Sequence, residues 1–413
     1  MARDKVVLAY SGGLDTSVAI PWLRETKGLD VVSVTVDVGQ PVDLERVRRK
    51  AEASGAAAAY VADARQEFAD EYILPALRAN ALYEGIYPLS TSLARPLIAR
   101  HMVAVARREG AKFVAHGCTG KGNDQVRFDL STGSLAPELG VIAPAREWGM
   151  TREEEVTYAQ RHSIPVDATK ASPYSTDENL WGRSVECGIL EDPAIEPPEE
   201  VYGWTCAPAQ APETPAYVTL GFESGRPVRL DGEALPLHEL IARLNRRAGA
   251  HGVGRIDHLE SRVVGIKSRE VYECPAATVL LAAHQALEAL VLPRDLVDAK
   301  RTIEQRYAQL VYDGLWFGPL RSAFDAFVGV SQERVSGEVS VKLFKGSARV
   351  AGRQSPNSLY QHTLATYSSG DRFRQEMAEG FIYVWGLPVR TWAARELPSP
   401  SPTPIAATPV DPR

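Results

Sequence analysis

The sequence predicts an α/β protein in which a doubly wound, parallel-sheet domain precedes an α+β domain. Three observations predict this order. Short apolar runs alternate with helical segments from the N-terminus to about residue 170. Paired apolar runs then replace this alternation, and prolines dominate the last residues. Because strand, helix and strand in succession need crossover connections, the first domain should hold a parallel sheet covered on both faces.

The elements of the first domain are predicted from its apolar runs. Buried strands are expected at residues 6–10, 31–36, 57–62, 112–115 and 141–143. Helices are expected at residues 14–26, 43–53, 64–80 and 93–109. Asp43 can cap the second of these helices, and Gly55 can end it. We therefore predict that residues 1–170 form one domain.

The second domain, predicted over residues 171–375, mixes hairpins with helices. Its first part, residues 192–216, is rich in proline and predicts an irregular connection on the surface. Hairpins are predicted from residues 217–222 with 227–230 and from residues 339–344 with 348–350. Helices are predicted at residues 278–290 and 296–310, and around the apolar face formed by Leu237, Leu240, Ile241 and Leu244.

Composition and charge narrow the class of protein. The chain has 46 Lys and Arg residues against 52 Asp and Glu residues, which gives a net charge of −6. A mildly acidic chain is a poor candidate for binding nucleic acid, so we expect no nucleic-acid partner. Six of the seventeen residues at 397–413 are proline. Such a composition cannot build a packed core, and it predicts a disordered Pro-rich tail.

The cysteines and the apolar runs bear on the compartment. The cysteines, which stand far apart and form no C-x-x-C pair, are Cys118, Cys187, Cys206 and Cys274. This spacing predicts neither a zinc site nor a disulfide framework, so the metal prediction is none. No segment approaches the ~18 apolar residues of a membrane span, and the N-terminus lacks a signal-peptide core. We expect a soluble, cytoplasmic protein with no membrane partner.

The strongest local signal is the sequence AYSGGLDTS at residues 9–17. It follows the first predicted strand and opens the first helix. Gly12 and Gly13 allow the backbone to approach an anion closely, and the helix N-terminus adds the positive end of its dipole. Hydroxyl donors come from Ser11, Thr16 and Ser17. The segment predicts a phosphate-binding loop, although it lacks the G-K-[ST] ending of a Walker motif.

These residues resemble the PP-loop, S-G-G-x-D-[ST], of the ATP pyrophosphatase superfamily. The resemblance implies cleavage of ATP between its α and β phosphates and activation of a substrate oxygen as an adenylate. By itself it leaves several enzymes open. They include argininosuccinate synthase, GMP synthetase, asparagine synthetase, NAD synthetase and the tRNA-modifying ligases.

A second segment, HGCTGKGNDQVRF at residues 116–128, follows the strand predicted at 112–115. Its glycines again permit close backbone approach, and Lys121 offers a positive charge for phosphate. Asp124 can accept hydrogen bonds from an ammonium group, and Arg127 can clamp a carboxylate with two parallel hydrogen bonds. From the residues alone, a solvated polar loop is an equally good interpretation. The segment, however, resembles the T-G-K-G-N-D signature of the argininosuccinate synthase family.

Other stretches are similar to the same family. YEGIY at 83–87 with TSLARP at 91–96, HGVGRID at 251–257, and GIKSR at 265–269 with Tyr272 and Glu273 resemble family motifs. The match runs in register from residue 5 to about residue 390. It implies an adenine nucleotide α-hydrolase-like fold for the first domain and a synthetase domain after it.

The resemblance also implies three binding sites. An ATP site is implied at Ala9, Tyr10, Ser11, Gly12, Gly13, Leu14, Asp15, Thr16, Ser17, Val36 and Gly117. An aspartate site is implied at Thr119, Asn123 and Asp124. A citrulline site is implied at Tyr87, Ser92, Asn123, Arg127, Ser175, Ser184, Glu260 and Tyr272. Val36 has no polar side chain, so its implied contact with the nucleotide is made through the backbone.

The implied reaction joins citrulline and aspartate at the expense of ATP, through citrullyl-AMP, as the penultimate step of arginine biosynthesis. Mg²⁺ is expected to be held mainly by oxygens of ATP. The family also implies a homotetramer assembled through the second domain and a C-terminal helix, expected at residues 376–396. The partners are therefore expected to be small-molecule substrates and further copies of the same chain.

The chain departs from many family members close to the implied citrulline site. GRSVE at 182–186 stands where many have H-I-S-Y-E, which keeps Ser184 in register. Glu270 replaces a glycine after S-R, and Ser261 replaces an asparagine after Glu260. Two alternatives remain open beside the implied reaction. One is another PP-loop ligase, and the other is a non-catalytic nucleotide sensor that retains the fold.

Overall fold

The first sheet contains the five strands predicted for the N-terminal domain. The structure is a computed structural model that describes residues 3–164 and 173–397. Its N-terminal strands are β1 Lys5–Ala9, β2 Asp30–Asp37, β3 Ala58–Asp63, β4 Phe113–Ala115 and β5 Gly140–Ile142. They lie in the order β3-β2-β1-β4-β5, and each neighbouring pair is parallel. The chain returns past β1 to reach β4, so the topological switch point lies between β1 and β4.

Helices cover both faces of this sheet, which confirms the doubly wound prediction. Those of this part of the chain are α1 Leu14–Thr26, α2 Leu44–Ala53, α3 Arg65–Glu67, α4 Leu74–Arg78, α5 Ser90–Glu109, α6 Asp124–Leu135, α7 Pro144–Glu147 and α8 Arg152–Arg161. Leu8 of β1 packs in one core with Ile20 of α1. Val7, the preceding residue, packs in another core with Leu93 of α5. Since alternate strand residues point to opposite faces, α1 and α5 lie on opposite sides of the sheet.

The predicted helices of the first domain are found, but two segments differ from their predictions. The segment predicted as one helix at 64–80 is α3 and α4 joined by a π-helical stretch at Phe68–Ile73. The polar segment at 117–127, interpreted as a loop, becomes helical at Asp124. The loop interpretation fails there because Arg127 and Phe128 are buried, whereas the charges of this segment suggested exposure.

Two antiparallel sheets follow the parallel one. The strands of this region are β6 Ser175–Asn179, β7 Gly182–Glu186, β8 Ala216–Glu223, β9 Arg226–Leu230, β10 Glu233–Ala234, β11 Arg255–Ser261, β12 Lys267–Glu273, β13 Gly337–Phe344 and β14 Ser347–Gln354. One sheet has the order β10-β9-β8-β13-β14, and the other has the order β11-β12-β7-β6. Both predicted hairpins, β8 with β9 and β13 with β14, are confirmed. The polar strands β6, β7, β11 and β12 were not predicted.

The proline-rich segment at 192–216 is irregular, as predicted, apart from a short 3₁₀ turn at Glu199–Val201. Its predicted position on the surface is wrong at Thr205, which is buried. The reason is the fully buried carboxylate of Glu273, which accepts hydrogen bonds from the backbone N–H groups of Gly203, Trp204 and Thr205 at 2.8–2.9 Å. A buried carboxylate needs such donors, and this segment supplies them.

The remaining helices are α9 Leu237–Gly249, α10 Pro275–Val291, α11 Arg294–Tyr312, α12 Pro319–Gln332, α13 His362–Ala365, α14 Glu376–Trp385 and α15 Leu387–Glu396. The chain divides into two compact units between Leu359 and Tyr360. In the second unit, the range predicted as one C-terminal helix holds α14 and α15, separated by Gly386. The domain boundary predicted at residue 170 and residues 398–413 of the predicted tail lie outside the described residues.

Candidate active site

The two glycine-containing loops meet at the carboxyl edge of the parallel sheet. One follows β1 and the other follows β4, and these strands are neighbours. Gly117 lies directly against the start of α1: a Cβ atom at this position would come within 2.9 Å of Thr16 Cγ2 and 3.7 Å of Thr16 N. The two sequence motifs, a hundred residues apart in the chain, therefore form one surface at the switch point, where open α/β sheets bind ligands.

The loop at residues 9–17 is a tight turn held by its own hydrogen bonds and by Lys50. Gly12 has φ +80°, a left-handed conformation that side chains disfavour. The Ser17 hydroxyl lies 2.7 Å from the Gly13 carbonyl oxygen, and the Ser11 and Thr16 hydroxyl oxygens lie 3.2 Å apart. Lys50 reaches back from α2 and donates to the Gly12 carbonyl oxygen at 2.7 Å. These contacts fix the loop at the positive end of the α1 dipole.

Asp124 begins α6 and is held by two guanidinium groups. Arg95 Nε donates to Oδ2 at 2.9 Å, and Arg127 Nη1 donates to Oδ1 at 2.8 Å. Arg95 also forms an ion pair with Asp177 of β6. Burial alone would raise the pKa of Asp124, but the two arginines outweigh it and lower the pKa to about 2. The carboxylate is therefore ionised throughout the physiological range of pH.

Arg127 is buried beside the last residue of α11. Its Nε donates to the Tyr312 carbonyl oxygen at 3.0 Å, and its guanidinium carbon lies 4.9 Å from the centre of the Tyr312 ring. Nη2 is buried and has no hydrogen-bond partner in the described part of the chain. A buried guanidinium nitrogen without a partner is costly, so Nη2 is a donor suited to a ligand.

Glu260 is the centre of a buried hydrogen-bonded cluster. The Tyr272 hydroxyl donates to Oε2 at 2.6 Å, and the Tyr312 hydroxyl donates to Oε1 at 2.5 Å. Asn123 joins the cluster because its Nδ2 lies 2.8 Å from the Tyr312 hydroxyl. The Val263 backbone N–H donates to Asn123 Oδ1 at 2.9 Å, which fixes the orientation of the amide. The cluster thus links the second motif to the antiparallel sheet.

Tyr87 extends this cluster towards α5. Its ring stacks on the Tyr272 ring with the centroids 4.0 Å apart. Burial raises the pKa of Tyr87 to about 12, so its hydroxyl is neutral at physiological pH. Ser184 pairs directly with Tyr272 between β7 and β12 and therefore shares its face of the sheet. Ser92, on α5, is fully buried, and its hydroxyl has no partner among the described residues.

Some predicted site residues lie apart from these contacts. Ser175 is exposed at the start of β6, opposite Glu186. Thr119 is exposed in the second loop. Val36 is buried within β2, where its side chain belongs to the core. No side-chain hydrogen bond of the described residues ties Ser175 or Thr119 to the cluster around Glu260.

Two residues that the sequence did not single out hold the site together. Arg95 bridges Asp124 and Asp177, which lie on different elements. Tyr312 contacts Asn123, Arg127 and Glu260. Arg95 belongs to the TSLARP segment at 91–96 that resembles a family motif, so the position of its charge in a helix could have indicated a role in the site. Tyr312 stood in no motif, and only the fold reveals its position.

The described part of the chain contains neither a metal-binding cluster of side chains nor a membrane-spanning helix. In residues 3–164 and 173–397, no group of three or more His, Cys, Asp or Glu side chains is arranged to hold a metal ion. The helices within these ranges are either too short or too polar to cross a lipid bilayer. The four cysteines are free.

The fold and the site together define an α/β protein in which two glycine-containing loops meet at the carboxyl edge of a parallel sheet. Residues 5–165 match the family model described as the arginosuccinate synthase N-terminal HUP domain, and residues 174–392 match the model of the corresponding C-terminal domain. The chain belongs to the argininosuccinate synthase family, and its resemblance to that family is confirmed.

Relatives match almost the whole chain. The argininosuccinate synthase of Gloeobacter violaceus is 61% identical over 394 residues, which cover 95% of this chain and 99% of the relative. That of Symbiobacterium thermophilum is 59% identical over 395 residues, covering 95% and 98%. That of Rubrobacter xylanophilus is 57% identical over 408 residues, covering 99% of each.

Proposed function

We propose that this enzyme ligates citrulline and aspartate to form argininosuccinate, with conversion of ATP to AMP and pyrophosphate, in the penultimate step of arginine biosynthesis. The observation that carries the proposal is the position of the segment 117–127. Its first residue, Gly117, contacts the phosphate-binding loop at Thr16. Its last, Arg127, reaches the buried polar cluster that also contains Glu260. One short segment therefore connects a site for ATP with a site for amino acids.

The first half-reaction forms the adenylate. The ureido oxygen of citrulline attacks the α-phosphorus of ATP, and pyrophosphate leaves with the electron pair of the broken P–O bond. Residues 9–17 hold the phosphates through backbone N–H groups and the hydroxyls of Ser11 and Thr16. Lys121 is exposed on the second loop and is free to approach the polyphosphate. Aligning the reactants in this way is worth up to ~7–11 kcal/mol.

The second half-reaction forms the new C–N bond. The amine of aspartate attacks the ureido carbon of citrullyl-AMP, loses a proton, and expels AMP. Activation is required because the ureido oxygen is otherwise a very poor leaving group. Asp124, ionised and fixed by its two arginines, positions the amino group of aspartate. Its low pKa makes it a weak base, so its role is orientation rather than proton abstraction.

Citrulline is held by the buried cluster. Arg127 Nη2 and the Ser92 hydroxyl are buried donors without protein partners among the described residues, and they suit carboxylate or carbonyl oxygens. Glu260, kept in place by two tyrosine hydroxyls, supplies the compensating negative charge for an ammonium group. Ser175 and Ser184 lie on the same face of the sheet as Tyr272 and add further hydrogen-bond donors. Ser184 pairs directly with Tyr272, and Ser175 pairs with Glu186, which lies two residues after Ser184 on β7.

Mg²⁺ fits this site as a companion of ATP. The phosphate-binding loop offers N–H and hydroxyl donors, whereas a dedicated magnesium cage needs several oxygen acceptors. Oxygens of ATP would hold the ion, with Asp15 as the acidic side chain of the loop. When bound, the ion neutralises charge on the phosphates.

The same proposal includes a cytoplasmic homotetramer. Four free thiols are typical of a reducing compartment. Large apolar side chains of α14 and α15, among them Phe381, Trp385 and Trp392, are more than half exposed, which suits burial against further copies of the chain.

The proposal is tested by incubating the purified protein with ATP, citrulline, aspartate and Mg²⁺. Pyrophosphate, AMP and argininosuccinate should appear in equal amounts, and omitting aspartate should abolish argininosuccinate. A nucleotide sensor would release none of these products. Arg127→Lys keeps the charge but loses the planar fork, and it should raise the citrulline KM at least ~tenfold. Arg255→Lys is the matched control, because Arg255 also pairs with a carboxylate, Glu199, and lies 3.7 Å over a tyrosine ring.

A further inference from the structure

Tyr312 is the last residue of α11, and its side chain is fully buried. It lies outside the motifs that resemble the family, and no binding role is implied for it by that resemblance. Three groups of Tyr312 contact residues of the cluster around Glu260: the hydroxyl, the ring and the backbone carbonyl.

The Tyr312 hydroxyl has one possible hydrogen-bond direction. Asn123 Oδ1 is occupied by the Val263 backbone N–H, so Asn123 Nδ2 must point at Tyr312 and donate to its oxygen at 2.8 Å. The hydroxyl proton is then directed to Glu260 Oε1 at 2.5 Å. Burial raises the pKa of Tyr312, and Glu260 raises it further, so the proton stays on the phenol.

The ring and the carbonyl of Tyr312 contact two other residues. The ring stacks on Tyr83 with the centroids 3.5 Å apart and the planes almost parallel. The Arg127 guanidinium lies over the same ring, and Arg127 Nε donates to the Tyr312 carbonyl oxygen at 3.0 Å. Gly314 packs against this arrangement so closely that a Cβ there would lie 3.0 Å from Arg127 Cα.

We propose that Tyr312 is a positioning residue that orients Glu260, Asn123 and Arg127 for citrulline. This inference rests on the proposed function, because it assigns Tyr312 to the same site. Tyr312 need not touch the substrate: it fixes which oxygen of Glu260 is engaged, which end of the Asn123 amide faces the site, and where the Arg127 fork lies.

The test is Tyr312→Phe, which removes only the hydroxyl and keeps the ring that Tyr83 and Arg127 contact. Loss of a hydrogen bond to a charged group should raise the citrulline KM ~10- to 100-fold. The KM for ATP should change less than about threefold, since residues 9–17 make no hydrogen bond to Tyr312 among the described residues. A general loss of packing would not separate the two substrates in this way.

Tyr307→Phe is the matched control. Tyr307 lies on the same helix, is fully buried, and donates its hydroxyl to the Asp325 carboxylate at 2.9 Å. Its loss should lower the melting temperature as Tyr312→Phe does, while leaving the citrulline KM unchanged. Equal rises of the citrulline KM in both variants, or no rise in Tyr312→Phe, would overturn the inference.

A failed inference can be told from a failed function, because the wild-type protein is assayed alongside. If the wild type makes no argininosuccinate, the proposed function is wrong. Should Tyr312→Phe fail to fold, difluorotyrosine at position 312 keeps the shape and lowers the pKa of the phenol. The charged groups facing it are Glu260 and Arg127, and its titratable neighbours are Tyr83, Tyr87 and Tyr272. The fluorinated phenol is a stronger hydrogen-bond donor to Glu260, so the citrulline KM at neutral pH should change while the ATP KM does not, and an unchanged citrulline KM would refute the role.

Discussion

Gly117 touches Thr16: a single methyl group on Gly117 would lie 2.9 Å from Thr16 Cγ2. Real Cβ atoms do not approach other atoms this closely, so the Thr16 side chain, whose hydroxyl lies 3.2 Å from that of Ser11, would have to move. Gly117→Ala should therefore raise the ATP KM by about ten- to a hundredfold, as expected when reacting groups are displaced by about an ångström. Steady-state kinetics with ATP varied will measure this. Gly120→Ala, in the same loop with open space around it, should behave like the wild type.

Gly12 should tolerate no β-branched side chain. Its φ of +80° strains any L-residue, and a Cβ would lie 3.3 Å from both methyl groups of Val47. In Gly12→Val the new methyl groups would press against Val47 and distort the loop, so ATP turnover should be lost while the protein stays folded.

Circular dichroism and a pyrophosphate assay together test this. Gly28→Val is the control for strain alone, because Gly28 has φ +66° and open space around it. It should lose about 1–2 kcal/mol of stability and keep its activity. Normal turnover by Gly12→Val would remove the loop from the ATP site.

Asp124→Asn should separate the two half-reactions. Adenylate formation involves citrulline and ATP, so the pyrophosphate burst should persist. Capture of aspartate should slow by ~10²-fold or more, which corresponds to loss of ~3 kcal/mol from a charged hydrogen bond. Rapid quench with labelled ATP follows both products. Asp129→Asn, on the same helix and bonded to His116 and Arg146, is the control. If both steps slow equally in Asp124→Asn, the residue does not belong to the aspartate site.

The stability contributed by Asp124 should depend on pH in a defined direction. Its pKa is about 2 in the folded protein against an ordinary 3.8, because Arg95 and Arg127 outweigh the effect of burial. A carboxylate whose pKa is lowered by folding stabilises the folded state at pH values above its ordinary pKa, here by about 2 kcal/mol. This stabilisation is lost as the pH falls through the pKa of the folded state. The difference in melting temperature between wild type and Asp124→Asn should therefore narrow from about pH 5 to about pH 3. A constant difference would show that the charge is not responsible.

The helices α14 and α15 should mediate assembly. Phe381, Val384, Trp385 and Trp392 are 58–74% exposed, a cost that burial between copies would remove. Light scattering should give about four times the chain mass of 45.0 kDa. Phe381→Glu with Trp385→Glu should dissociate the assembly, whereas Tyr367→Glu, at a fully exposed residue outside both helices, should not. A monomer mass for the wild type would refute the homotetramer.

The sequence by itself determined the parallel sheet, because strands such as β2 are buried on both faces and leave a Val-rich run, here broken only by Ser33 and Thr35. It also determined the glycine-containing turn between β1 and α1, since two glycines between a strand and a helix have a local physical meaning. The hairpin β8–β9 was predictable for the same reason: its turn residues act over a few positions.

The tertiary structure alone decided the antiparallel sheet of β6, β7, β11 and β12. Strand β6, Ser175–Asn179, is polar throughout, so no hydrophobic pattern marks it. It forms because Arg95 and Arg183 neutralise its acidic side chains and β7 supplies its backbone partners. The contacts of Arg95 and Tyr312 could not be predicted from the sequence either, since their partners are distant along the chain. Local patterns encode secondary structure and loops, but charge compensation and hydrogen-bond direction exist only once the chain has folded.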